Sequence, residues 1–407
     1  MKSLNYSQIK ILLFLTFVLS NTSCTSSNTT HKDTKIEKGC PIIDLAYAVE
    51  NPGESLPLSD FVEDIEYIRP EYPATLVDII FGASFNRNYL LLEVRERLLC
   101  YTREGKFICE ISRKGQGPKE HLGIRSSDLY HNLVAIHSNY SCKILWYNAD
   151  GEYLRETPVS NNVYKINILD TNRVAIHLHH GAEMDDPELF IAGILNSNGD
   201  TVQLKKSEPY YPEGVASSPS IWKYNDTVRV LTCINDTVYA ISRNEIVPRY
   251  VINFGKYKIS RNAFADIRLL EQERNKCISM PSFCETATHL LVIFPYNRKR
   301  WFAVYDKQTA KISAWSSEPD NINKYGFLEG GGWINNIDGG VSPTAFFSAS
   351  SDYFTANVEP ENLKTSFIEN KGHIDVQYPE KQQKLEQLIH SLDDEENPVV
   401  ILYKLKK

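Results

Sequence analysis

Three of the chain's ten histidines fall within four residues, in His177-Leu178-His179-His180, and the run continues to Glu183, Asp185 and Asp186. Successive side chains of a strand alternate faces, which sets His177 and His179 on one side and His180 on the other. Two imidazoles, with the Asp185 carboxylate returning from the loop, are a donor set that holds zinc or another divalent cation. The spacing matches no standard ligand pattern, however, and a polar hairpin tip needs no metal, so no cofactor is expected.

A second stretch, Ser112 to Glu120, reads SRKGQGPKE directly after a strand-like run. A phosphate loop of the GxxxxGK[ST] kind ends on a lysine and a hydroxyl, and GxGxxG needs a third glycine where Glu120 stands. Pro118 also disfavours helix at Gly117. The stretch therefore reads as a tight connection between sheets, with Arg113, Lys114 and the free loop amides left to attract an anion near the centre of the fold. Acidic pairs such as Glu93 with Glu96 are plentiful, but the two carboxylates of a glycosidase are defined by their separation in space. There is no GxSxG, and no cysteine has a papain-like context, so the sequence names no nucleophile.

Aromatic side chains are a stronger lead. The chain has 23 tyrosines and five tryptophans, enough to furnish both a core and a stacking surface for sugars or peptides. Tyr210, Tyr211, Trp222, Tyr296 beside Arg298 and Arg300, Trp301 and Trp333 are the candidates; the alternative for each is core packing. Trp333 follows three glycines, a context that implies an exposed, mobile loop.

The elements that must position these groups repeat along the chain. Tyr101 to Phe107, Tyr147 to Tyr153 and Leu195 to Thr201 superpose: an apolar strand end, three polar residues, a glycine, then a strand restart. Each suits a hairpin whose type I turn ends in a left-handed residue, a conformation glycine reaches without Cβ strain. In such a bulged loop Cys100 and Cys109 do not face each other. The glycines recur near the period of a four-stranded propeller blade, and weaker copies follow at Ile241 to Glu245 and Tyr305 to Thr309. Alternation of apolar residues marks blades near 76–113, 124–159, 162–206, 217–255 and 280–316. A sixth assembles from 344–348, 353–358, 398–404 and the early strand 64–69, which closes the ring non-covalently and leaves no edge. Helical spacing of Phe264, Ile267, Leu270 and Arg274 predicts a helix inserted within 256–277, and Leu385, Leu388, Ile389 and Leu392 predict another near 379–392. The expected fold is all-β, a six-bladed β-propeller spanning 58–407.

The ordered set DIEYIRPE, SRKGQGPKE, NDTVYAI followed by RYVINFGK, and the closing NPVVILYKLK resembles the six-bladed β-propeller lipoproteins of the bacterial cell envelope, relatives of NHL-repeat propellers. That resemblance implies a secreted, membrane-tethered propeller and says little about activity. The N-terminus fits it: Lys2 and Lys10 precede the apolar run Ile11 to Leu19, which is too short to span a bilayer, and small polar residues lead to Cys24. Residues 1–24 read as a lipoprotein-type signal with Cys24 the candidate lipidated residue, although Leu19 stands five places before it rather than three. Residues 25–57 read as tether and lead-in, with 25–38 the polar part. The remaining cysteines lack CxxC pairs and read as buried thiols. A net charge of −7 without a basic run excludes a nucleic-acid footprint. The expected function is a binding module for a peptide, glycan or envelope protein. The alternative is a hydrolase or lyase acting on glycans at the central channel, which would gather ionisable groups there. A purely structural partner would show a broad apolar patch instead.

Overall fold

The computed structural model describes residues 39–72, 77, 79–138, 140–160, 162–178, 190–206, 219–232, 235–260, 262–263, 266–316, 321–322, 328–329, 332–346 and 348–407. Six radial sheets form a six-bladed β-propeller, as the repeat predicts. Blade one runs Ile80–Phe85, Tyr89–Val94, Arg97–Thr102 and Phe107–Glu110, and blade two Ile124–Tyr130, Leu133–Ser138, Lys143–Asn148 and Tyr153–Pro158. Blade three comprises Val163–Asp170, Arg173–Leu178, Phe190–Asn196 and Thr201–Lys206, and blade four Ser220–Tyr224, Thr227–Leu231, Thr237–Ile241 and Ile246–Asn253. Blade five is Ser282–Glu285, His289–Tyr296, Lys299–Asp306 and Ile312–Ser316. In each of these blades the first strand is innermost, and inner strands touch their neighbours around the ring except between blades three and four, where Val163–Asp170 meets Thr227–Leu231.

The glycine hairpins explain the regularity. Gly105, Gly151 and Gly199 all have positive φ, and each amide donates to the carbonyl three residues earlier, at 3.0 to 3.1 Å. At Gly105 a Cβ would lie 2.2 Å from the Arg69 carbonyl oxygen, so the turn also needs the missing side chain for its seat against blade six. Tyr101 pairs with Phe107, as the bulged loop requires, but an extra residue then shifts the ladder and sets Cys100 opposite Cys109. The expectation that they would not face each other fails for that reason; both remain free thiols.

Blade six is stitched from both ends of the folded chain, ordered outward as Ser348–Ala349, Tyr353–Val358, Val399–Leu405 and Val62–Ile68. The inner strand lies slightly later than the 344–348 expected. Val62–Ile68 pairs with the C-terminal strand from Val62 opposite Leu405 to Ile68 opposite Val400. The insertion after blade four holds a helix at Ile267–Arg274, capped by Asp266; Phe264 lies outside the described residues. Pro379–Ser391 is helical as predicted, and Pro360–Asn370 adds a second helix on the same excursion.

One part of the lead-in departs from a tether. Ile42–Asp44 adds to the outer edge of blade four as a parallel fifth strand, with Ile42 opposite Val251. The short helix Leu45–Glu50 follows, its first turn held by Asp44 accepting from the Tyr47 amide at 2.8 Å. Gly53 then donates to the Ala314 carbonyl of blade five at 2.7 Å, before the chain enters blade six. Ile43, Leu45, Leu58 and Phe61 of this belt are buried in the apolar cluster that joins blades four, five and six. Burial of side chains, which alternation cannot reveal in so short a segment, makes 42–61 part of the propeller. The signal, Cys24 and 25–38 lie outside the described residues.

Candidate functional site

The inner strands of the first three blades begin with the same irregularity. The ladder skips one residue between Ile80 and Gly82, between Ile124 and Ser126, and between Val163 and Lys165. The extra residues are Phe81, Arg125 and Tyr164, each lifted out of register by a β-bulge, a device that re-aims a side chain. Phe81 is 60% exposed although it sits on the innermost strand of a blade. The Arg125 guanidinium lies over the Tyr164 ring, 5.2 Å from its centroid, a cation–π contact. These three residues form a collar on one mouth of the ring, the end where the inner strands start.

Below the collar the channel is polar. Gly82, next to Phe81, has no side chain, and Glu93 of the second strand lies against the space this leaves, its Oε2 3.5 Å from where a Cβ would be. Ser127 of blade two donates to Glu93 Oε2 at 3.3 Å. Burial pushes the Glu93 carboxyl above the ordinary carboxylate range, with Lys165 and Ser127 acting in the opposite direction. Asp128 accepts the Ile168 amide at 2.6 Å and ties blade two to blade three. Its two oxygens also receive Lys223 from blade four, at 2.6 and 2.7 Å. Lys165 stands within electrostatic range of Glu93, Asp128 and Lys223; enclosure lowers its pKa, partly offset by the two carboxylates. The half-buried Lys165 ammonium makes no hydrogen bond or ion pair with any described residue.

A separate ionic centre clamps blades four and five. Glu285 is fully buried and receives Arg229 at 3.1 Å, Lys307 at 2.9 Å, Tyr250 at 2.7 Å and Trp222 at 3.3 Å. Burial alone would raise its pKa, but Arg229 and Lys307 outweigh that and hold the carboxyl below its usual range. With four donors on one carboxylate, this centre is saturated and structural.

The residues singled out from sequence fare unevenly. His177 is fully buried with Nε2 3.0 Å from Asn167 Oδ1, and burial lowers its pKa to about 3. It is a packed blade-three residue, and among the described residues no group of three or more potential metal ligands converges. His179, Asp185, Tyr210 and Tyr211 lie outside the described residues. Trp222 is buried, stacked on Phe283 at 4.5 Å, so it is no surface platform. Trp333 is 1% exposed and meets Trp315 and Phe302 edge-on at 5.8 and 5.3 Å. Trp333 is therefore buried where exposure was expected: Gly332 turns at φ +131° and its carbonyl accepts the Trp315 indole N–H at 3.0 Å, so this glycine serves a close backbone approach, while Gly330 and Gly331 lie outside the described residues. Arg298 is exposed in a two-residue hairpin turn with Asn297, both at positive φ.

In SRKGQGPKE, Lys114 is paired with Glu96 at 2.5 Å, and the Gly117 amide donates to Glu120 Oε2 at 2.8 Å. The loop thus cradles its own carboxylate where an external anion was expected, and Gly115 and Gly117 leave room for it: a Cβ at either would lie within 3.0 Å of Glu120. Arg113 is exposed beside it. The Glu93 and Glu96 pair is divided, one residue lining the channel and the other bound to Lys114. The collar and Lys165 were not singled out from sequence. Their signal is the recurrence of Ile80-Phe81-Gly82, Ile124-Arg125-Ser126 and Val163-Tyr164-Lys165 at successive blade starts.

The family model described as Domain of unknown function (DUF4934) matches residues 40–404. No curated protein matches the chain. Among solved structures, a Bacteroides fragilis NCTC 9343 protein named as exported is 18% identical with a TM-score of 0.65, covering 90% of this chain and all of its own. A DUF4221 family member from Bacteroides vulgatus ATCC 8482 is 13% identical with a TM-score of 0.47, covering 85% of this chain and 98% of its own. At these identities the likeness to the first is one of fold.

Proposed function

The chain belongs to the DUF4934 family, and on that premise we propose that it is a non-catalytic binding module of the bacterial cell envelope, which seats a peptide, glycan or envelope protein at the collared mouth of its ring. One observation carries this reading: three consecutive inner strands use the same bulge to present Phe81, Arg125 and Tyr164 together. An exposed aromatic ring and a stacked Arg–Tyr pair suit the faces of sugars and peptide groups. Paired polar groups beneath them fix orientation. The fold shared with a protein named as exported supports an envelope location, and Cys24 supplies the lipid anchor in this proposal. Glycan and peptide arrays probed with the wild type and with Phe81→Ala/Tyr164→Ala test the site. Retention of a ligand by the wild type and its loss in the double variant, at unchanged melting temperature, is the expected result; equal retention would remove the collar from the argument. Intact mass of the membrane-extracted protein tests Cys24, since diacylglyceryl modification there is lost in Cys24→Ser.

A hydrolase or lyase acting on glycans is the second reading, favoured by Glu93. Its carboxyl is shifted upward by burial beside a half-buried lysine, as a proton-donating acid requires. Release of reducing ends from a glycan panel by the wild type but not by Glu93→Gln would establish it.

A further inference from the structure

We infer that the channel beneath the collar is a receptor for a single carboxylate group of the ligand, held by Lys165 with Arg125 at its rim. This rests on the proposed binding at the mouth and specifies what chemistry is read there. Two other partly buried lysines are paired: Lys223 binds both oxygens of Asp128, and Lys307 binds Glu285. Lys165 differs from these two, a half-buried ammonium with three donors and no described partner. Its ammonium is not sealed from water, so it is open to a group entering from the mouth. Its carboxylate neighbours are already engaged, Asp128 by Lys223 and the Ile168 amide, and Glu93 by Ser127. Arg125 on the adjacent inner strand meets the Tyr164 ring rather than a carboxylate.

Charge selects the kind of anion. Among the described residues named above, three cations, Arg125, Lys165 and Lys223, stand against two carboxylates, Glu93 and Asp128, an excess of one positive charge when both carboxyls are ionised. A singly charged ligand group neutralises that excess, whereas a dianionic phosphate would be opposed by Glu93 and Asp128. The planar carboxylate also accepts from an ammonium and a guanidinium together. Two sources offer it at this site, a uronic acid of a glycan and the C-terminus of a peptide.

Titration calorimetry of the full chain against paired probes tests the inference: digalacturonate with its methyl ester, and N-acetyl-Gly-Gly-Phe with its C-terminal amide. One acid is expected to bind saturably and its neutral partner at least about tenfold more weakly, as loss of a half-buried ion pair dictates. Which acid binds identifies the source. Lys165→Met should abolish the preference for the acid, while Lys165→Arg retains it. The Lys165→Met protein should melt close to the wild type, because the substitution removes no hydrogen bond or ion pair to a described residue. Binding of acid and neutral partner with equal affinity, both lost in Phe81→Ala, would overturn the carboxylate inference while leaving the mouth as the binding site. An undiminished preference in Lys165→Met, or no saturation by either acid up to about 10 mM, the range of weak affinities, would also overturn it.

Discussion

His137 and His177 are both held far below the ordinary histidine range by burial, to about 4 and about 3, with Arg125 adding to the effect at His137 and Lys165 at His177. Each ring gains its proton near pH 6.5 in the unfolded chain but only at the lower value when folded. Their contribution is therefore complete above about pH 6.5 and is lost as the pH falls, at up to about 1.4 kcal/mol per unit per ring. Urea midpoints measured from pH 7.5 down to 4.5 should decline steadily below pH 6.5, and a flat profile would contradict the burial of these rings. His177 also shows what a local motif conceals. Its two neighbouring histidines make a possible donor set in sequence, although one of no standard spacing, and its own ring is turned inward onto Asn167. The channel residues illustrate the reverse. Glu93, Asp128, Lys165 and Lys223 come from four different blades, so no spacing along the chain relates them until the ring has closed.

Among the elements, the glycine hairpins were legible because a left-handed turn residue is a property of a few consecutive positions. The blade-start bulges were not, since their triplets share only a β-branched first residue, and the bulged position itself is Phe81, Arg125 or Tyr164. The glycine before Trp333 misleads for a related reason: Gly332 marks a special backbone conformation, and only the neighbouring chain decides whether that means mobility or tight approach. With Trp315, Phe302 and Phe346 around it, Trp333 fills the core of blades five and six. Trp333→Ala should accordingly cost about 3–5 kcal/mol of stability through the cavity it leaves. Chemical denaturation reads that loss, and ligand retention under native conditions should be unaffected.

At the scale of the whole molecule, the prediction from sequence that the ring closes between its own ends holds, with Val399–Leu405 lying inside blade six rather than at its margin. Removing residues 398–407 takes a strand away from two partners at once and opens the ring. Calorimetry of that truncation should show no cooperative transition at the wild-type temperature; a retained transition would mean that five blades suffice. What sequence did not disclose is the belt of residues 42–61, whose ordered elements are too short to show a period and whose anchoring depends on separate blades. Its route decides where mechanical load travels. Tension applied upstream of residue 42 is delivered to the parallel pairing of Ile42–Asp44 with blade four and then to the backbone contact at Ala314. After a further pairing of residues 56–59 with 334–336, the seam in blade six lies last along that path, so a pull on the N-terminus must strip at least three fastenings before it strains the junction on which circular closure depends.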